Sequence, residues 1–162
     1  MQSAKDSFYV MLRDRVAGIN PGRTTVLRGV SRPGVLVEEN ELATTFSTTD
    51  AFWLRWTEVS VDVADALVRM RCEISYATDG LVGNGGMDRG QLLAGMDVEL
   101  ATALRREPQN VVKSAYSNNG VATLATNLFW TDPVFGKTSA DGERMSRTTV
   151  VEVFAYQEAE EL

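Results

Sequence analysis

The chain has 162 residues, of which 16 are basic and 22 acidic, for a net charge of −6, and 44% are apolar. That length and composition suit one domain with its own core and exclude a collagenous or low-complexity chain. The negative balance argues against gripping a phosphate backbone, which needs clustered Lys and Arg; it fits plain solubility, and also an acidic channel through which DNA slides.

Histidine is absent. This removes Ser-His and Cys-His nucleophile pairs, imidazole bases and imidazole metal ligands together. Cys72 is the single cysteine, so neither an intrachain disulfide nor a cysteine zinc site can form. No apolar run approaches the roughly 20 residues that span a bilayer. The N-terminus lacks a signal-peptide pattern, because Phe8 to Leu12 is short and sits in a charged segment. The expected setting is the cytoplasm or an assembly built there.

In chain order, the spacing of Phe8, Met11, Leu12, Val16 and Ile19 predicts a helix over Ser3 to Ala17. Ser3 and Asp6 resemble a capping box, and Gly18 with Asn20-Pro21-Gly22 ends the run. Strands are expected at Thr24 to Val30 and Val35 to Glu39, with Arg32-Pro33-Gly34 as the turn between them. Asn40 to Asp50 reads as a polar loop.

Phe52 to Val63 reads as a strand, with Phe52, Leu54 and Trp56 on one face and Trp53, Arg55 and Thr57 on the other. The clearest strand follows: Ala66, Val68, Met70, Cys72, Ile74 and Tyr76 alternate with Leu67, Arg69, Arg71, Glu73 and Ser75. That period of two marks an antiparallel sheet with one wet face. Gly83-Asn84-Gly85-Gly86 leads to a second helix, Arg89 to Arg106, with Asp88 and Gln91 as a second capping box. Its stripe is Leu92, Leu93, Met96, Leu100, Ala103 and Leu104.

Val111 to Ser117 and Val121 to Trp130 form a predicted hairpin around Asn119-Gly120. A long loop is expected over Thr131 to Met145. The last strand, Arg147 to Gln157, is apolar on both faces at its centre, so it belongs inside a sheet or under cover on both sides. The expected fold is one α+β domain over 1–162: a mainly antiparallel sheet flanked by two helices.

Chemistry finds few footholds. The Gly83–Gly90 loop opens a helix but lacks the Lys-Ser/Thr ending of a phosphate loop. Glu38, Glu39 and Glu41 alternate faces on a strand and do not converge. Nothing places Asp62 with Asp65, or Asp132 with Asp141, as a catalytic pair, and no Gly-x-Ser-x-Gly elbow occurs. Cys72 lies on an apolar face and reads as a small buried hydrophobe. No catalytic, metal or cofactor residue is assigned, and no enzymatic activity is expected. Adjacent aromatics on a strand face both ways, so Phe52, Trp53 and Trp56 are candidate protein-interface residues, joined by Phe135 and Lys137 of the later loop.

The order of elements resembles the tail terminator (tail completion) proteins of long-tailed bacteriophages and related contractile injection particles. The resemblance spans nearly the whole chain. It rests on the helix Asp6 to Ala17 leading into Arg32-Pro33-Gly34-Val35-Leu36-Val37, the alternating strand Leu67 to Tyr76, the amphipathic helix Leu92 to Leu104, and the strand Arg147 to Tyr156. It implies a virion protein of the tail and neck, assembled in the host cytoplasm. Such a protein is a hexameric ring that caps the tail tube, stops its growth and docks the head. Its implied partners are copies of itself, the tail tube protein, a neck or head-closure protein and a sheath protein, with DNA as passing cargo and no membrane. Another neck position, head closure or head–tail connector, is the near alternative. A small-molecule-binding domain or carboxylate-dependent enzyme is the alternative from another class.

Overall fold

In the computed structural model, residues 1–41 and 48–161 are described. The chain opens with α1 (Gln2–Ile19), whose Ala4, Phe8, Leu12 and Val16 recur every four residues and are all buried. Strands β1 (Thr24–Leu27) and β2 (Val30–Pro33) form a separate hairpin. Then come β3 (Val35–Val37), the single turn α2 (Glu38–Glu41), β4 (Phe52–Asp62) and β5 (Leu67–Thr78). Helix α3 (Arg89–Arg105) is followed by β6 (Asn110–Ser117), β7 (Gly120–Trp130), β8 (Val134–Phe135), β9 (Ser139–Asp141) and β10 (Arg144–Tyr156).

The main sheet runs β3-β4-β5-β10-β7-β6, and only the β3–β4 pair is parallel. This is the α+β fold that the alternation predicts. Strand β10 is its centre. β5 pairs along its whole length, while β9, β8 and β7 take turns on the other side. Both helices lie on one face, α3 over β5 and β10, α1 against α3 and β6. Val68, Met70, Cys72, Ile74 and Tyr76 of β5 meet Val151, Val153 and Ala155 of β10 there, beneath Leu93, Met96, Leu100 and Leu104 of α3. Each such side chain withdrawn from water contributes about 1.5–3 kcal/mol.

Several expectations need correcting. The turn after β1 is Arg28-Gly29, both at positive φ, while Arg32 and Pro33 belong to β2. Neither capping box forms. Met1 precedes α1 without a side-chain cap, and the Asp88 carboxylate accepts from the Leu81 N–H and the Asn84 amide, not from its own helix. Ile19 ends α1 exposed. The loop expected over Thr131 to Met145 contains β8 and β9, both paired to β10. Residues 42–47 of the Asn40–Asp50 loop lie outside the described residues.

Candidate functional site

The three candidate interface residues of β4 separate by strand parity, and Phe135 and Lys137 by their place in β8 and beyond it. Phe52 is fully buried, edge-to-face with Tyr76 at 5.2 Å, with the Arg23 guanidinium 5.6 Å above its ring. Trp56 shares that face; it packs on the core and meets Phe8 edge-on at 5.8 Å. Phe135 pairs with buried Thr149 and packs on the core margin. These three aromatics serve the domain's interior, so Phe52 in particular offers nothing to a partner. Trp53 points to the opposite face and Lys137 is exposed.

Trp53 stands over a groove of about 410 Å³ on the helix-free face, with Glu38, Arg55, Ser75, Arg144 and Arg147 on its walls. Its guanidiniums are already engaged. Arg55 donates to Glu73 at 2.9 Å, and Arg144 clasps Asp79 through Nε at 2.8 Å and Nη2 at 3.0 Å. That clasp holds the Asp79 carboxyl below its ordinary range. Arg147 donates to the Gly136 carbonyl at 2.9 Å and to the Thr138 hydroxyl at 2.8 Å, and its Nε lies 3.2 Å from Asp97. With these partners the walls are nearly charge-balanced, a poorer anion trap than three arginines suggest.

Behind the groove, the Tyr76 hydroxyl donates to Asp97 and lies 3.2 Å from the Thr149 hydroxyl. Burial, reinforced by the Asp97 hydrogen bond, pushes its pKa well up, so it acts as a fixed donor and not as a base. Burial likewise pushes the Cys72 thiol far up, which leaves it protonated and a poor nucleophile. Among the described residues no three of Cys, Asp and Glu converge as a metal site. Glu38 leans 4.0 Å from Arg55, while Glu39 pairs with Lys5 at 2.7 Å.

The larger feature is the helix-free face itself. Phe154 pairs with Phe129, and Val150 with Val134, so all four share that face. Val134 is 68% exposed and Tyr156 47%. Ion pairs cross beside them, Arg71 to Glu152 at 3.5 Å and Arg55 to Glu73, and the Arg69 guanidinium caps Phe154 at 5.6 Å. The second apolar row of β10, Val150, Phe154 and Tyr156, signals this face in the sequence; β10 takes the central place that was one of its two expected settings, and among the described residues no helix packs over this face. Compared with protein-family models and with curated proteins, the sequence matches none.

Proposed function

We propose that the chain is a structural ring subunit at the head-proximal end of a phage-like tail. In this reading it ends tube growth and presents the docking surface for the neck. The observation that carries the reading is the uncovered face of the sheet. A monomer leaves few contiguous apolar patches in water, and a row that includes Val134, Phe129, Phe154 and Tyr156 calls for a partner surface. The order of helices and strands, which resembles the tail terminator proteins, supplies the identity of the assembly.

The mechanism would be one of matched surfaces. One side of the ring fits the last tube layer, and the other lacks the surface that templates another. Head-to-tail contacts related by a rotation close into a ring, six being the number the resemblance implies. The excess of carboxylates fits a lumen that DNA passes without sticking.

Labelling this chain in intact tail particles and imaging them tests the reading. The expected result is one ring at the tube end nearest the head, with the tube's own rotational symmetry. A position elsewhere, or a copy number that does not match that symmetry, overturns it. A position one layer nearer the head assigns the chain to head closure or the connector instead.

A further inference from the structure

The hairpin β6–β7 outgrows the domain that supports it. Strand β7 leaves β10 at the pair Ala155–Leu128, and residues 120–127 run on, roughly 25 Å of strand at ~3.3 Å per residue. Beyond that point β7 pairs with β6 alone. Helix α1 covers the base, where the Ser7 hydroxyl accepts from the Ser114 N–H at 2.8 Å. Past Ser114 and Thr123 the arm stands in solvent, with Tyr116 40% and Val121 64% exposed across from each other. A two-stranded ribbon without cover is marginal in water.

The composition of this arm is abnormal for an exposed edge. No charged residue stands between Lys113 and Asp132, in a chain where 23% of residues are charged. Soluble proteins blunt open strand edges with charges, prolines or bulges. The opposite edge follows that rule: beyond Phe52–Leu54, which β3 covers, β4 carries Arg55, Glu58 and Asp62 and a bulge between Trp56 and Glu58. The β6 edge from Ser114 to Ser117 carries no charge, no proline and unbroken register.

We infer that the β6–β7 arm is the element through which copies of this chain join, with a second copy seated along Ala115–Ser117 and over Val121. Charge selects the occupant. Two chains of net charge −6 repel wherever they bring like groups together. The stretch from Ser114 to Thr131 is where a like copy can lie without facing its own charges. A nucleic acid would need Lys or Arg on the arm, and a strongly charged protein partner would need the complement; the arm has neither. This inference rests on the self-assembly part of the reading above and names the surface that performs it.

Sedimentation velocity over a concentration series tests it, using the full chain and the variants Val121→Asp and Val59→Asp. Both positions are exposed, so each variant is expected to melt at the wild-type temperature, which a circular-dichroism melt checks. The wild type is expected to associate with rising concentration. V121D should weaken that association by at least about tenfold, while V59D, on the blunted β4 edge, leaves it unchanged. A wild type whose mass never rises up to its solubility limit overturns the inference. Association that survives V121D also overturns it, and leaves the ring reading standing. Association lost in V121D, with tail particles that show no ring of this chain, upholds the arm and sinks the ring.

Discussion

The ammonium of Lys113, 1% exposed, is enclosed by the C-terminal turn: it pairs with Glu161 and donates to the Tyr156 carbonyl at 2.6 Å. Lys113 stands between Val112 and Ser114, opposite a bulge of β7 between Thr123 and Asn127, next to the point where β7 parts from β10. The turn that follows β10 fills that wedge, with Glu158 accepting from the Thr126 N–H and hydroxyl, each at 2.8 Å. The last residues described are therefore held to the sheet by an ion pair and hydrogen bonds.

Removing one partner of such a pair strands the other. Lys113→Met should lower unfolding stability by about 3 kcal/mol in a urea titration, because Glu161, 8% exposed, loses its counter-charge. The double variant Lys113→Met with Glu161→Gln should recover part of the loss. A double variant as unstable as the sum of the two singles would mean that the pair is not coupled.

The same contacts set the acid limit. Burial alone would raise the Glu161 pKa, but the hydrogen bond and charge of Lys113 and the Glu158 N–H hold it below the ordinary carboxylate range. Asp79 with Arg144, Asp88 with Asn84, and Glu158 with Thr126 are lowered as well. A depressed folded-state pKa contributes stability above the unfolded value, about 4 for these groups, and loses it as pH falls through the folded value. Stability should therefore fall below about pH 4. E161Q should start lower at neutral pH, fall less on acidification, and converge with the wild type in acid. A constant gap between the two curves would refute the linkage.

The sheet centre and both helices were legible because period two in Leu67–Tyr76 and period 3.6 in α1 and α3 are dictated by burial on one face. The β1–β2 turn was not, since Arg28-Gly29 is a rare carrier of a two-residue hairpin turn and Arg32-Pro33-Gly34 a common one. Capping boxes failed for local reasons: Asp88 is taken by Leu81 and Asn84 of the loop before α3, and α1 already begins at Gln2, ahead of Ser3. Strand parity sorted Phe52 and Trp56 from Trp53 but could not say which set faced the helices. The uncharged run of the β6–β7 arm stands in the sequence, yet it acquires meaning only once that hairpin is seen to leave the sheet.

Two glycines should respond in opposite directions to alanine. A Cβ on Gly136 would lie 2.6 Å from the Thr148 carbonyl oxygen, in the strip whose Gly136 N–H donates to that same oxygen at 2.9 Å. Backbone on both sides cannot give way, so Gly136→Ala should destabilise by about 2 kcal/mol. Gly95 lies exposed in α3 with nothing within 4 Å of a Cβ, and Gly95→Ala should stabilise by about 0.5–1 kcal/mol through helix propensity. Thermal melts of the two variants should move to opposite sides of the wild type; a shared direction would contradict the packing of β8 on β10.

Neighbours on one strand, Phe52 and Trp53 should separate more sharply still. Phe52 is closed in by Tyr76 and Arg23, so Phe52→Ala opens a cavity and should cost about 3–5 kcal/mol in urea unfolding. Trp53 is half-buried on the helix-free face, beside Arg55 and Ser75, and Trp53→Ala should cost about 1 kcal/mol, with the fold intact by circular dichroism. Trp56 is intermediate: its ring meets Phe8 edge-on, but its buried indole N–H has no partner among the described residues. Both Trp56→Phe and Trp56→Leu remove that unsatisfied donor, but only Trp56→Phe keeps an aromatic ring near Phe8, so it should cost less. The order Phe52→Ala, then Trp56→Leu, then Trp56→Phe and Trp53→Ala follows from burial together with the Phe8 contact of Trp56. If Trp53→Ala proved the most damaging of the four, the faces of β4 would be exchanged, and the groove over which Trp53 stands would belong to the core.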